Sequence, residues 1–215
     1  MQLSLFEASV PPAREGLHVL KAFALPQAEA LIAAIDEVTA RAPLRHMTTP
    51  GGRTMSAAMS NCGRAGWVTD ARGYRYTAED PTTGLAWPAM PGVVHDLAVA
   101  AARQAGFDFV PDACLINQYE PGARMGLHSD ADEPDAAAPI VSVSLGLPAT
   151  FLFGGLTRTG PTDRIVLEHG DVVVWGGPLR RAYHGIAPLK AGVHPMLGAR
   201  RLNLTIRKAS PPMQA

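Results

Sequence analysis

Ile140-Val141-Ser142-Val143-Ser144-Leu145-Gly146 is the stretch that decides the fold class. Val141, Val143 and Leu145 alternate with Ser142 and Ser144, the period of two expected of a strand with one face on a core. The texture repeats on both sides of it, as short apolar or alternating runs divided by short turns. Candidate strands fall at 113–119, 124–129, 140–147, 149–153, 164–168, 171–175, 181–187 and 200–207. About eight short strands following two helices predict a mainly β protein with flanking helices. Its core would be a double-stranded β-helix, a cupin-like jelly roll of two sheets, with the helices buttressing one sheet.

The N-terminal part reads differently. Residues 1–16 look like a loosely docked arm ending near Pro11-Pro12, followed by a short strand around 17–23. Pro26 can open a helix at its first turn, and Leu31, Ile32, Ile35 and Val38 then recur at helical spacing as one buried stripe. A second helix over about 92–104 would bury Val93 or Val94, Leu97 and Ala101, with Gly106 as its C-terminal stop. Between the helices, from 41 to 87, glycines, prolines and single aromatics punctuate short pieces, which predicts hairpins and loops. Charge is lopsided there: Arg41, Arg45, Arg53, Arg64, Arg72 and Arg75 face only Asp70 between residues 41 and 76.

A chain of 215 residues suits one domain with a lid, large enough to bury a real core. We divide it into an N-terminal extension and lid over about 1–90 and a helix plus jelly-roll core over about 91–215. With 47% hydrophobic and 18% charged residues the composition is that of a globular enzyme. The formal net charge of zero argues against a surface that binds nucleic acid all over. Cys62 and Cys114, distant in sequence and in no CxxC pattern, argue against a disulfide scaffold and for a reducing compartment. No signal-like N-terminus and no run of 18 apolar residues is visible, so a cytoplasmic protein without a membrane span, taken as a monomer, is the expectation.

The chemistry-bearing residues begin with His128-Ser-Asp130. Residues i and i+2 of a strand share a face, so this pair could grip one ion from one side. Together with His184, in Tyr183-His184-Gly185, it makes two imidazoles and a carboxylate, the ligand set of a non-haem Fe(II) oxygenase. The spelling alone is weak, because His169-Gly-Asp171 repeats it; that copy reads as a turn before an apolar strand. His194 is a rival third ligand. Asp130, Asp132, Glu133 and Asp135 form an acidic cluster that solvent could equally well explain. On the last strand Arg201, Asn203, Thr205 and Arg207 share one face, and Leu202, Leu204 and Ile206 the other. The polar line could be solvated, or it could clamp a dicarboxylate at both ends, joined by Asn117 and Tyr119 from the strand 113–119.

Taken together these residues resemble the AlkB family of Fe(II)- and 2-oxoglutarate-dependent dioxygenases, which demethylate alkylated bases in nucleic acid. The motifs stand in order as Asn117-x-Tyr119, Leu127-His-Ser-Asp-Ala-Asp-Glu133, His184 and Arg201-x-Asn203-x-Thr205-x-Arg207. Further similarity runs through Met47-Thr-Thr-Pro-Gly-Gly52, Gly66-Trp67, Gly73-Tyr74, Trp87-Pro-Ala-Met-Pro91, Pro111–Asn117, Ile140–Pro148 and Glu168–Gly177. The resemblance implies that His128, Asp130 and His184 bind iron. It implies that Arg201 and Tyr119 hold the far carboxylate of 2-oxoglutarate, with Asn117, Asn203 and Arg207 around the chelating end. It further implies an N-terminal nucleotide-recognition lid, in which Trp67 and His128 sandwich a flipped base and Asp132 reaches its exocyclic amine. Thr49, Tyr74 and Arg158 would be among the nucleic-acid contacts. Arg200 competes with Arg201 for its role, and only the motif alignment favours the latter.

The physics of the chain is consistent with this. A base inside a duplex must be flipped out, or taken from a single strand, to reach an iron, and stacking on an aromatic face holds it at about 1–3 kcal/mol per base. Trp67 lies in the arginine-rich stretch, where a local field would track phosphates. A carboxylate such as Asp132 suits a base that is cationic, as 1-methyladenine and 3-methylcytosine are. The expectation is oxidative demethylation of such bases in DNA, with RNA as a further substrate left open, consuming O2 and 2-oxoglutarate and releasing formaldehyde, succinate and CO2. Two alternatives stay open: an oxygenase of a small molecule or protein side chain, and a non-catalytic jelly roll that binds a ligand or nucleic acid.

Overall fold

The structure is a computed structural model that describes residues 14–210. Most of the expected N-terminal arm, with Pro11 and Pro12, lies outside the described residues; its end is docked by an ion pair from Arg14 to Asp163 at 3.1 Å. The chain then forms β1 (Leu17–Leu20), a 3-10 turn at Leu25–Gln27, α1 (Ala28–Arg41), β2 (Arg45–Thr48), β3 (Thr54–Gly63), β4 (Gly66–Asp70) and β5 (Gly73–Thr77). After α2 (Gly92–Gln104) come β6 (Ala113–Tyr119), β7 (Met125–His128), β8 (Ile140–Gly146), β9 (Ala149–Phe153), β10 (Asp163–Leu167), β11 (Val172–Trp175), β12 (His184–Ile186) and β13 (Arg201–Arg207).

The last eight strands divide evenly between two antiparallel sheets, which makes the core the jelly roll that the alternation in β8 predicts. One sheet runs β1-β11-β8-β13-β6-β3-β2 and the other β10-β9-β12-β7, while β4 and β5 stand apart as a hairpin. The larger sheet is buried on both faces. Val141, Val143, Leu145, Leu202, Leu204 and Ile206 pack outward with Leu31, Ile35, Val38, Leu97 and Ala101 of the two helices. Leu115, Tyr119, Val173 and Trp175 point inward against Phe151 and Phe153 of the smaller sheet. Each such side chain contributes about 1.5–3 kcal/mol, so two apolar layers, rather than any single ion pair, hold the sandwich closed.

The outcome differs from expectation in two places. All seven residues of β8 are buried, so Ser142 and Ser144 face the space between the sheets rather than solvent. The region 41–87 is not only hairpins and loops: β3 pairs with β6 from Ala58↔Gln118 to Gly63↔Ala113 and widens the core sheet. Its Thr-Met-Ser-Ala-Ala-Met-Ser-Asn-Cys-Gly has few β-branched residues, and a neighbouring strand supplies what its own propensity lacks. The same register sets Cys62 opposite Cys114, two free buried thiols brought side by side. In α1, Ile32 flanks the buried stripe instead of joining it. α2 buries Val94, Leu97 and Ala101 as expected. It ends in a Schellman motif, with Phe107 N–H bonded to Ala102 O at 2.9 Å and Gly106 N–H to Arg103 O at 3.0 Å. No helix among the described residues is long and apolar enough to cross a membrane.

The second His-Gly-Asp copy is the turn it was expected to be. Gly170 has φ 88°, and a side chain there would meet Leu25 at 2.9 Å. Asp171 accepts from the N–H groups of Glu168 at 2.8 Å and Ala22 at 2.9 Å, tying β11 to the β1–α1 connection. His169 Nδ1 accepts from Gly146 N–H at 2.9 Å, and its ring lies 4.4 Å from that of His194, so His194 belongs to this cluster.

Burial, then repulsion from His194, lowers the His169 pKa. A depressed imidazole pKa contributes stability above the unfolded value, about 6.5, which is lost as pH falls toward the folded value. Urea unfolding from about pH 8 to 5 is expected to show stability declining with acid, and His169→Asn, whose amide oxygen keeps the acceptor without titrating, to reduce that slope. An unchanged slope would remove His169 from the account.

Candidate active site

The antiparallel register of β7 and β12 sets His184 directly opposite His128, which is how a residue 56 positions away returns to its partner. Their rings lie 4.4 Å apart. His128 Nδ1 sits 2.9 Å from Gly126 O and His184 Nδ1 3.0 Å from Ala182 O. A carbonyl only accepts, so each Nδ1 carries a proton, and in the neutral tautomer the lone pair stands on Nε2. Those two Nε2 atoms lie 3.5 and 3.8 Å from the Asp130 oxygens, and the three donor groups fall within 4.8 Å of one another. The arrangement is two neutral nitrogens and a carboxylate converging from one side, a facial triad with the opposite positions open.

Asp130 is not on the strand. β7 ends at His128, so the i, i+2 argument does not place the carboxylate; two arginines do. Arg207 donates to Asp130 Oδ2 at 2.6 and 2.9 Å. Arg180 donates to the Asp130 carbonyl at 2.8 Å and to Ala138 O at 2.8 Å. Burial by itself would raise the Asp130 carboxyl, but the Arg207 guanidinium, by charge and by hydrogen bonds, outweighs it and holds it well below the usual carboxylate range. Burial, then His128, pushes the His184 imidazole down to about 4. Ionised carboxylate and neutral imidazole are the forms a divalent ion needs. Trp175 packs edge-on against His184 at 4.8 Å.

A small cavity leads from the triad into the sandwich, lined among others by Leu115, Asn117, Tyr119, Trp175, Thr205 and Arg207. β13 lies between β6 and β8, which sets Arg201 opposite Tyr119 and Asn203 opposite Asn117. Arg201 lies over the Tyr119 ring at 5.2 Å and donates one bond, to Ser144 Oγ at 2.9 Å. It is fully buried, and its Nε and Nη1 find no partner among the described residues. A buried guanidinium with two unmet donors is costly, and an incoming carboxylate is the group that satisfies it. Asn117 Oδ1 is a third unmet atom, but as an acceptor it is met by a donor and not by a carboxylate, so the fit rests on Arg201. The residues therefore fit a bound dicarboxylate. Arg200 points elsewhere, to Gln118 Oε1 at 3.2 Å. Asn203 is already saturated by Ser142, Val143 O, Asn117 and Thr205, so it holds Asn117 in place.

Of the expected substrate contacts, Trp67, Tyr74 and Asp132 come together. Trp67 and Tyr74 stack at 5.7 Å with an 18° interplanar angle, and Trp67 Nε1 donates to Asp132 Oδ2 at 3.1 Å. Asn61 fixes the Trp67 backbone from both sides at 2.9 and 3.0 Å. Thr49 caps the β2–β3 turn by accepting from Arg53 N–H at 3.1 Å, and Arg158 lies on the exposed β9–β10 loop. The local arginine excess is smaller than it reads: Arg72 and Arg75 share Asp70, and Arg45 is paired with Asp80 across the face of Trp87. In the acidic cluster, Asp135 pairs with Lys208 at 3.3 Å instead of standing free in solvent, and Glu133 is buried. Ser142, Ser144, Tyr76, Glu133 and Arg180 are site neighbours that the residues alone do not assign; the two serines carry a signal in the alternation of β8 and Glu133 in the acidic cluster, Tyr76 and Arg180 none.

Comparison with known proteins bears on this geometry. Residues 16–207 match the family model described as the 2OG-Fe(II) oxygenase superfamily. The chain is 56% identical over 211 residues to the alpha-ketoglutarate-dependent dioxygenase AlkB of Escherichia coli (strain K12), covering 96% of this chain and 98% of that protein. The DNA N(6)-methyladenine demethylase ALKBH1D of Arabidopsis thaliana is 38% identical over 108 residues, 45% of this chain and 24% of its own length. The solved structure of OsALKBH1 superposes with a TM-score of 0.80 at 26% identity, covering 91% of this chain and 98% of that one.

Proposed function

This chain belongs to the AlkB family of the 2OG-Fe(II) oxygenase superfamily, and from that premise we propose that it removes methyl groups oxidatively from the bases of nucleic acid. It is an Fe(II)- and 2-oxoglutarate-dependent dioxygenase that uses O2. The substrates proposed are 1-methyladenine and 3-methylcytosine in DNA. Residues up to about 90 supply the recognition lid as well as β1–β3 of the core sheet, and residues from about 91 onward the rest of the catalytic core.

In this reading His128 and His184 hold Fe(II) through Nε2 and Asp130 through its carboxylate. When bound there, iron supplies the activation of O2 that is coupled to decarboxylation of 2-oxoglutarate. Arg201 and Tyr119 take the far carboxylate, while Arg207 and Asn117, the latter fixed by Asn203, border the end nearer the triad. Arg207 also keeps Asp130 ionised and aimed. Trp67 and Tyr74 offer a stacking surface, and Asp132, two residues beyond Asp130, accepts from an exocyclic amine and favours a cationic ring. Thr49 and Arg158 contact the strand that carries the base. The hydroxylated methyl leaves as formaldehyde.

The observation that carries this reading is the Trp67–Asp132 hydrogen bond. It joins an aromatic platform to a carboxylate on the loop that also bears Asp130, so a base stacked on that platform would be held beside the loop that carries a metal-binding carboxylate. A pocket for a small aliphatic substrate has no use for the pair. Incubation with Fe(II), 2-oxoglutarate and oligonucleotides carrying 3-methylcytosine or 1-methyladenine, as DNA and as RNA, is expected to yield succinate and formaldehyde in equal amounts. Succinate without base repair on any of them would sink the proposal in favour of a small-molecule or protein substrate.

A further inference from the structure

Trp67 and Tyr76 are opposite one another in the β4–β5 hairpin, and they bond to consecutive residues of one loop. Trp67 Nε1 donates to Asp132 at 3.1 Å on the surface, and Tyr76 Oη donates to Glu133 Oε1 at 2.5 Å in the interior. Glu133 is 6% exposed. Its other oxygen accepts from Arg180 at 3.1 Å, and Arg207 Nε lies 3.4 Å from Oε1. Both arginines also bind Asp130, one at its carbonyl and the other at its carboxylate. The hairpin is thus tied through one phenol to the charged cluster that orients a triad residue. Burial raises the Tyr76 pKa, so the phenol stays protonated and donates.

The two bonds differ in what they cost to open. An exposed indole–carboxylate bond exchanges for bonds to water almost evenly, whereas a buried bond to a carboxylate leaves a charge unsatisfied. An incoming base also competes only for the outer one, since Asp132 is the acceptor its amine would take.

We propose that Tyr76 and Glu133 are positioning residues: their buried bond is the pivot that keeps the recognition hairpin seated over the triad while the outer Trp67–Asp132 bond opens to admit a base. The assignment rests on reading β4–β5 as the base-recognition hairpin.

Tyr76→Phe removes the donor and nothing else. In the metal-free chain, hydrogen exchange of amides 66–77 is expected to accelerate about tenfold, the scale for loss of one bond to a charged group, with β6 and β13 unchanged. Trp67→Phe, which opens the outer bond, leaves that exchange as in the wild type. Glu133→Gln keeps an acceptor without the charge and shifts exchange the same way by a smaller factor. In turnover, Tyr76→Phe raises KM for a 3-methylcytosine oligonucleotide about tenfold, leaves KM for 2-oxoglutarate unchanged, and raises the ratio of succinate to formaldehyde above that of the wild type. Unchanged hairpin exchange in Tyr76→Phe, equal loosening in Trp67→Phe, or protection lost evenly across β6 and β13 overturns the pivot. Failure of the wild type to release formaldehyde from methylated oligonucleotides overturns the functional reading instead, and the exchange experiment is independent of it.

Discussion

Asp130→Asn is expected to abolish turnover and also to weaken the metal-free fold, whereas His128→Ala abolishes turnover alone. Each removes one of three groups that converge within 4.8 Å, so formaldehyde release should fall by about three orders of magnitude or more in both, metal being the source of the chemistry. Their structural debts differ. The His128 side chain is 40% exposed and uncharged when it ligates, so truncating it costs no more than about 1 kcal/mol. Asp130 is the chief partner of Arg207, whose side chain is 6% exposed. Without that carboxylate, Arg180 and Arg207 share only Glu133, and one positive charge is left buried. Breaking a buried pair costs about 3–5 kcal/mol; the Glu133 contact at 3.4 Å and the remaining amide oxygen place the value near the lower end. At about 2–4 °C per kcal/mol for a chain of this size, Asp130→Asn should melt some 6–12 °C below the wild type in the presence of a chelator, with His128→Ala close to the wild type. Equal melting temperatures for Asp130→Asn and the wild type would mean that Arg207 has another partner.

What was legible in the residues, and what was not, follows the range of the forces involved. β8 and β13 announce themselves because a period of two is a local pattern, and the loop His169-Gly-Asp171 because a turn is local chemistry. β3 was hidden because its pairing comes from β6, far along the chain, and its own residues are indifferent. Asp130 does converge with His128 and His184, but not for the reason that strand spacing suggests: it sits past the strand end, and Arg180 and Arg207, 50 and 77 positions away, aim it. The place of Ser142 and Ser144 between the sheets was not legible, since alternation tells two faces apart without telling which is wet. Charge counting overstated the local field for a related cause. Six arginines against one aspartate within 41–76 suggested a phosphate-tracking field, yet Asp80 lies just outside that window and neutralises Arg45. Periodicity reports the element; partners that arrive from elsewhere in the fold decide what a polar side chain does.

Arg201→Met is expected to separate stability from function in the opposite sense to Asp130→Asn. Arg201 is fully buried, makes one side-chain bond to Ser144, and keeps two donors without a partner. Burial pushes its pKa down, with Tyr119 opposing, so the cation is held at a cost that only its ligand offsets. An unbranched apolar side chain of similar length removes that cost, and replacing buried charge by a packed hydrophobe is often neutral or stabilising by about 1–4 kcal/mol. The variant should therefore melt at or above the wild-type temperature without 2-oxoglutarate. The wild type should gain about 2.7 kcal/mol at a 2-oxoglutarate concentration of 100 Kd, and the variant almost nothing at the same concentration. Losing the charged partner of a buried carboxylate costs about 2–5 kcal/mol, so KM for 2-oxoglutarate, read by succinate release, should rise by roughly two to three orders of magnitude. Arg201→Lys keeps the charge but not the planar fork that can reach both oxygens of a carboxylate, and should fall between the two in KM. A metal-free melt of Arg201→Met well below the wild type would contradict the argument, because it would mean that the guanidinium supports the fold instead of waiting for a ligand.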